Sequence, residues 1–327
     1  MDDFPFVSIV IPVRNVAKII EPCLKSLASL NYPKDKYEVI ISDSHSTDNT
    51  KEIVEKYNDI YISTEKQSIC AGRNEGFKVA KGDIIAFSDA DCVMDKDWIK
   101  NSIKYFKDKK IGGVGGINIT PENETDFGKA VGFVLDQPIF SAGSTYARIL
   151  KKTKEVKAIA GCNAIYKREV LEKVMPMDET LIEAEDYVMN QKIRDLGYKL
   201  LYTPDTILWH YRRPKPKNFF KQIYRYAIGR VLIGRKDYKM INMVHILAGF
   251  GIPIFLVLSL FLITLKPLCF FYFLLAVFFF FFFYFMVSLA KTKSLKVSLL
   301  VPYVIIILFL GWSFGFLRQI FFPTKKH

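Results

Sequence analysis

The sequence predicts an α/β protein: a doubly wound, mainly parallel sheet, then an interfacial helix, then an α-helical membrane region. Three observations carry this. Short apolar runs alternate with helical patterns over residues 1–210. A basic stretch occupies 211–240. Apolar runs of membrane-spanning length, about three helices, fill 241–327.

The strands and helices follow in order. Val7-Ser-Ile-Val-Ile-Pro12 reads as a short buried strand, and Ala17–Leu30 carries apolar residues at helical spacing. Tyr37–Ser42 is the next strand and Asp48–Lys56 the next helix, with Ser46 or Asp48 as its cap. Ile60–Ser63 and Ala71–Lys81 repeat the pair, as do Ile84–Ser88 and Lys96–Phe106. Further on, Val156–Ala160 and Thr206–Trp209 read as strands, and Tyr187–Leu196 as a helix.

Charge is unevenly distributed. The chain of 327 residues has 46 Lys and Arg against 33 Asp and Glu, a formal charge of +13. Residues 1–210 are close to neutral, while Tyr211–Lys239 carries about ten basic residues and the single acid Asp237. No Asp or Glu follows Met240. The excess is thus a belt and a tail, not a basic face on a folded domain, so no nucleic-acid partner is expected. Cys23, Cys70, Cys92, Cys162 and Cys269 are scattered and contain no C-x-x-C. That spacing argues against a disulfide framework or structural zinc, and for a reducing compartment.

The apolar runs are about Met243–Leu265, Leu268–Ala290 and Val297–Leu317. Each exceeds the roughly 18 residues needed to cross a hydrocarbon core, and six consecutive Phe at 278–283 suit lipid better than a soluble core. Phe219, Phe220, Ile223, Ala227 and Val231 recur at spacings of three and four, with Lys217, Lys221, Arg225, Arg230 and Arg235 between them. That pattern predicts an amphipathic helix lying among lipid headgroups, or an ordinary surface helix. The belt and the Lys291–Lys296 loop predict a cytoplasmic side, with the Lys266-Pro267 turn outside. Three spans then put Lys325 and Lys326 outside, unless Gly311–Phe322 bends into the interface. Met1–Phe6 is acidic and lacks the positive start of a signal peptide, so the sheet half is expected in the cytoplasm of a multi-pass membrane protein.

Ligands of doubly wound sheets bind beyond the carboxyl ends of strands. The polar residues there are Arg14-Asn15, Asp43, Ser63-Thr64-Glu65 and Asp89-Ala-Asp91. Two carboxylates at i and i+2 on extended chain share a face and repel unless a cation joins them. Oxygen ligands suit Mg²⁺ or Mn²⁺. One aspartate binds the ion and the other the ribose on this reading; a loop or helix cap is the alternative. Glu185-Asp186 supplies either a general base or a helix cap. Gly161 allows close backbone approach, or marks a tight turn. His210 ends a strand beside Arg212-Arg213 and reads as a structural residue or as a phosphate or metal contact. Arg73 follows a strand and is a candidate for a phosphate or base. Asn118 and Asn123 match glycosylation acceptors but are irrelevant in the cytoplasm.

In this order the pieces resemble the family 2 glycosyltransferases of the GT-A fold, a Rossmann-like, doubly wound mixed sheet. Val7 through Pro12, Arg14 and Asn15 resemble the family's opening strand. Asp43-Ser-His-Ser-Thr-Asp48 is similar to its nucleotide-binding turn, with Ser44 in place of the usual second acid and His45 in place of a small residue. Arg73-Asn74, Gly82-Asp83 and Asp89-Ala-Asp91 match the run into the D-x-D motif. Gly161-Cys162-Asn163 through Lys167-Arg168 resembles the acceptor-side segment, and Glu185-Asp186 the E-D motif. The Gln-x-x-Arg-Trp signature of processive synthases is missing; Arg212-Arg213-Pro-Lys-Pro stands there.

The resemblance implies a nucleotide-sugar donor held by Pro12, Arg14, Asn15, Asp43, Arg73 and Asp89. It implies a metal ion on Asp89 and Asp91, to which the strand-end position adds His210 as a metal candidate, with Asp186 as catalytic base beside Glu185. It implies an inverting transfer. The membrane region adds a polyprenyl-linked saccharide hydroxyl as acceptor, or else polyprenyl phosphate itself. A non-catalytic nucleotide-binding scaffold on the membrane is the reading from another class.

Overall fold

The computed structural model describes residues 4–57, 59–141, 144–145, 148–181 and 183–323. Met1–Asp3, Lys325 and Lys326 lie outside the described residues. The chain forms two compact units: Met1–Ile119 with Gly143–Tyr211, and Thr120–Ala142 with Arg212–His327. The sequence put residues 1–210 in one domain and 211–240 in a separate segment. In the structure, Thr120–Ala142 instead joins the second unit, because its apolar residues pack there.

The elements begin β1 (Val7–Val13), α1 (Ile20–Ala28), β2 (Tyr37–Asp43), α2 (Thr50–Val54), β3 (Ile60–Ser63), α3 (Ile69–Val79) and β4 (Ile84–Phe87). Next come β5 (Cys92–Met94), α4 (Trp98–Ile103), β6 (Ile111–Ile119), α5 (Asp126–Asp136) and α6 (Pro138–Ser141). Then follow β7 (Lys154–Glu155), β8 (Ala164–Lys167), α7 (Arg168–Leu171), α8 (Glu185–Asp195) and β9 (Lys199–His210). The chain closes with α9 (Pro216–Lys236), α10 (Met243–Leu265), α11 (Pro267–Thr292) and α12 (Leu295–Phe321).

The first unit is one sheet in the order β3-β2-β1-β4-β8-β6-β9-β5, with β7 on β9. β3, β2, β1 and β4 are parallel. β8 runs antiparallel to β4 and β6, and β9 runs parallel to β6. This mixed second half is what the resemblance to the GT-A fold implies, where strand–helix alternation alone suggested a mainly parallel sheet. Val156–Ala160 is not a strand, since 160 leads directly into a 3₁₀ turn at Gly161–Asn163. Apolar faces of β1 and β2 (Ile9, Ile11, Val39, Ile41) bury against Leu24 and Leu27 of α1, with Trp98 of α4 in the same core. Burial on both faces explains why β1 reads as a continuous apolar run.

Register fixes which residues share an end of the sheet. Phe87 at the end of β4 lies opposite Ala164 at the start of β8, and Ile84 opposite Lys167. Cys92 lies opposite His210. The residues after β1, β2 and β4, before β8, and at the end of β9 therefore crowd one rim.

In the second unit, α10, α11 and α12 are 23, 26 and 27 residues long and apolar enough to cross a membrane. α10 and α11 expose most of their Leu, Ile and Phe side chains, whereas Val301, Val304, Ile305 and Leu308 of α12 are buried. α12 runs unbroken through Phe321, so the alternative of a bend at Gly311–Phe322 is not seen. The apolar stripe of α9 packs on α5 and α12: Phe219 and Ile223 cluster with Phe127, Val131 and Val301, and Ala227 and Val231 with Phe316. Gly311 and Gly315 allow this approach, since a Cβ on Gly315 would stand 2.2 Å from the Tyr224 carbonyl. The expectation that this stripe enters the headgroups is corrected: protein already covers it. Arg235 donates to the Gln319 and Ile320 carbonyls in the last turn of α12, and Arg230 to the Met240 carbonyl at the end of a 3₁₀ turn, so these two cations cap helix ends. Lys217, Lys221 and Arg225 are exposed.

Candidate active site

The strand-end loops of β1 and β2 clasp each other. Asn15, in left-handed conformation with φ 52°, donates its N–H to Ser46 Oγ at 2.8 Å. Its side-chain oxygen accepts from Thr47 N at 2.7 Å. Asp43 ends β2. Its Oδ1 accepts from Ser46 N at 3.0 Å and Ser46 Oγ at 2.7 Å, and the Tyr61 hydroxyl donates to Oδ2. Asp48 accepts from Ala17 N and Thr50 N, so it ties the two loops as well as bracing α2. Arg14 is exposed beside them. Pro12 lies under Gly72 of α3, where a Cβ would come within 2.7 Å of the proline Cβ.

Arg73 departs from the donor-side expectation. It is 1% exposed, and Phe87 lies under its guanidinium. Its nitrogens donate to Glu185 Oε1 at 2.9 Å and Asp89 Oδ1 at 3.2 Å. One cation thereby joins an acid of the D-x-D run to an acid of the E-D pair. A buried cation needs such partners: burial opposes its charge, and Asp89, Glu185 and Asp186 more than offset this. Gly161 makes room, because a Cβ there would stand 2.9 Å from both guanidinium ends.

Asp186 completes the cluster. Its Oδ2 accepts from Gly161 N at 3.0 Å and its Oδ1 from Tyr187 N at 2.7 Å. The helix-cap reading of Asp186 is set aside, since Ala184 occupies the N-cap of α8 and Asp186 lies in its first turn. The helix dipole favours a carboxylate there. Burial pushes the Glu185 carboxyl up to about 7, Asp186 adds to the shift, and Arg73 opposes it.

Asp91 and His210 meet across the β5–β9 pairing. Asp91 Oδ1 stands 3.2 Å from His210 Nε2, and Tyr211 N donates to the Asp91 carbonyl at 3.0 Å. Two ligands of one octahedral cation at about 2.1 Å stand about 3.0 Å apart. The observed spacing fits a shared Mg²⁺ or Mn²⁺, with one oxygen and one nitrogen donor. Asp89 is the more exposed carboxylate, at 28% against 11% for Asp91, and one of its oxygens already faces Arg73.

Cys162 and Asn163 depart from the acceptor-side expectation, being 2% and 0% exposed. Asn163 accepts from Trp98 Nε1 at 2.8 Å and donates to Asn118 Oδ1 at 3.0 Å. A buried amide needs these partners, so it faces the core. Cys162 Sγ lies 3.7 Å from His210 Nδ1. The neighbouring Cys92 and His210 hold its thiol below the usual cysteine range, against burial. Lys167 and Arg168 sit at the opposite end of the sheet, where Arg168 donates to the Gly82 and Ala80 carbonyls. A groove lined by Phe4, Asp83, Lys167 and Arg168 opens at that end, away from the carboxylates.

Sequence reasoning did not single out Tyr61 or Trp98, and it read Asn118 only as a glycosylation acceptor and Cys92 only as one of the scattered cysteines. Each acts through a partner at least 18 positions away, so no local spacing marks it. The buried Arg73–Glu185 pair likewise spans 112 positions.

The model of glycosyl transferase family 2 matches residues 8–175. The glycosyltransferase AglE of Haloferax volcanii is 30% identical over 251 residues, spanning 75% of this chain and 79% of that protein. A relative from Methanococcus voltae is 30% identical over 247 residues, 71% of this chain and 75% of that protein. It is named a dolichyl N-acetyl-α-D-glucosaminyl phosphate 3-β-D-2,3-diacetamido-2,3-dideoxy-β-D-glucuronosyltransferase. In fold, the chain is similar to the mannosyltransferase PcManGT of Pyrobaculum calidifontis, solved with GDP-Man and Mn²⁺. The TM-score is 0.67 at 17% identity, covering 98% of this chain and 88% of that one. The sheet is thus of the GT-A kind, and a non-catalytic scaffold is set aside. The chain belongs to glycosyl transferase family 2 and is a glycosyltransferase.

Proposed function

We propose that this glycosyltransferase moves a sugar, with inversion, from a nucleotide-sugar to a hydroxyl of a polyprenyl-linked saccharide presented at the cytoplasmic face of a membrane. The observation that carries it is the Asp89–Arg73–Glu185 bridge, which fixes the D-x-D and E-D carboxylates on one rim. Asp186 is the base. Its carboxylate is oriented by Gly161 N–H and accepts the acceptor's proton as the hydroxyl oxygen attacks the anomeric carbon. The bond to the nucleotide diphosphate breaks on the opposite face. Asp91 and His210 would hold a divalent cation, with Asp89 beside them. When bound, that cation supplies positive charge to the departing diphosphate. Arg14, Asn15 and the Asp43 turn flank the donor.

Three supports bear on the acceptor. The apolar helices belong to the same chain. The Methanococcus voltae relative is named for a dolichyl-linked sugar phosphate. A phosphate acceptor is already ionised and needs no base, whereas Asp186 suits a hydroxyl. The exposed Lys217, Lys221 and Arg225 face an anionic cytoplasmic leaflet on this reading.

The test is a donor panel with membranes containing the protein, offered a polyprenyl-linked monosaccharide or bare polyprenyl phosphate, with and without Mn²⁺. Cation-dependent extension of the linked sugar is expected. A product formed only on bare polyprenyl phosphate overturns the hydroxyl acceptor and favours a monosaccharide-lipid synthase.

A further inference from the structure

Behind the rim lies a second cluster. Cys92 Sγ, Cys162 Sγ and a ring nitrogen of His210 all stand within 4.8 Å of one another, and the three residues are 0%, 2% and 3% exposed. They come from three separately anchored elements: the first residue of β5, the turn before β8, and the last residue of β9. The scattered cysteine spacing hid this convergence. The Cys162 Sγ to His210 Nδ1 distance is 3.7 Å. In a tetrahedral site, sulfur at about 2.3 Å and nitrogen at about 2.0 Å stand about 3.5 Å apart.

The outer partners also match a metal site. The opposite ring nitrogen of His210 faces Asp91, and Asn118 Nδ2 donates to Cys162 Sγ at 3.5 Å. A carboxylate behind a ligating imidazole and a hydrogen bond onto a ligating sulfur are the supports such ligands use.

We propose that Cys92, Cys162 and His210 Nδ1 bind a thiophilic divalent cation of the zinc class, at a site distinct from the carboxylate rim. A ring ligated at Nδ1 keeps its proton on Nε2 and donates it to Asp91. His210 then has no lone pair left for a cation at the rim. Interior zinc therefore competes with rim Mn²⁺ for one histidine, a consequence that rests on the function proposed above.

The experiment uses the full chain in detergent, reduced, chelator-stripped and titrated with Co²⁺. One equivalent should bind and give sulfur-to-cobalt charge-transfer absorption, displaced by Zn²⁺. Cys92→Ser and Cys162→Ser should abolish the band, and Cys269→Ser, at an exposed position, should keep it. No band in the unsubstituted chain overturns the site, whatever the variants do, and so does a band that survives Cys162→Ser. Electron paramagnetic resonance of bound Mn²⁺ tests the competition: one equivalent of Zn²⁺ should weaken Mn²⁺ binding about tenfold. Unchanged Mn²⁺ binding overturns the shared histidine. A metal-free chain that binds no Mn²⁺ counts against the rim reading alone.

Discussion

The two halves of the sheet use polar residues in opposite ways. In the parallel half, the ends of β1 and β2 hand their polar side chains to adjoining loops, so exposed Asn15, half-buried Asp48 and buried Asp43 hold those loops together. In the mixed half, Cys162, Asn163 and His210 are buried and bond to one another's neighbours. Arg73 and Asp89 belong to the parallel half in sequence, yet Arg73 reaches Glu185 of α8. The contrast teaches that a strand-end position marks a residue for the rim without saying whether it meets ligand or braces one that does.

The sharpest way to break that contrast is at the acids. Asp186→Asn should lower turnover about 10²- to 10⁴-fold while calorimetry still detects donor binding. Lost binding would move Asp186 to the bracing class. Arg73→Ala strands two buried or half-buried acids, and should cost roughly 3–5 kcal/mol in denaturant unfolding. Wild-type stability in that variant would refute the bridge.

Smaller effects sharpen the picture. Gly315→Ala forces a Cβ against the Tyr224 carbonyl and should cost about 1–3 kcal/mol. Gly251→Ala, with nothing within 4 Å, should be tolerated by comparison. Asn163→Ala leaves Trp98 Nε1 without its partner and should cost about 1–3 kcal/mol with donor affinity unchanged. A large affinity loss there would return Asn163 to the ligand-facing class. The subtlest effect is pH. Glu185 titrates near 7 when folded against an ordinary 4.5, so the folded chain holds an extra proton between those values. That contribution to stability is full below 4.5 and lost as pH rises through 7. Glu185→Gln should flatten the corresponding fall in melting temperature.

Much of the fold was legible because its signals are local. Val7–Pro12, Tyr37–Ser42 and Ile84–Ser88 read as strands within a residue or so of their ends, and the membrane helices announce themselves by length. The polar residues after those strands were legible for the same reason. What stayed hidden depends on contacts between distant positions. Phe127 and Val131 give no hint in sequence that they pack on Phe219 and Val301. Arg73 looks like a phosphate ligand until Glu185 and Asp89 are seen to enclose it. Cys92, Cys162 and His210 are separated by dozens of residues and meet through the β8–β6–β9–β5 pairings.

In the mechanism proposed above, the Asp91 side chain anchors the cation that receives the leaving diphosphate. The most direct test is nucleoside diphosphate binding by titration calorimetry with and without Mn²⁺, in the unsubstituted chain and in Asp91→Ala. The prediction is Mn²⁺-dependent binding that weakens at least about 10²-fold in the variant. Equal, Mn²⁺-dependent affinity in both proteins would contradict it.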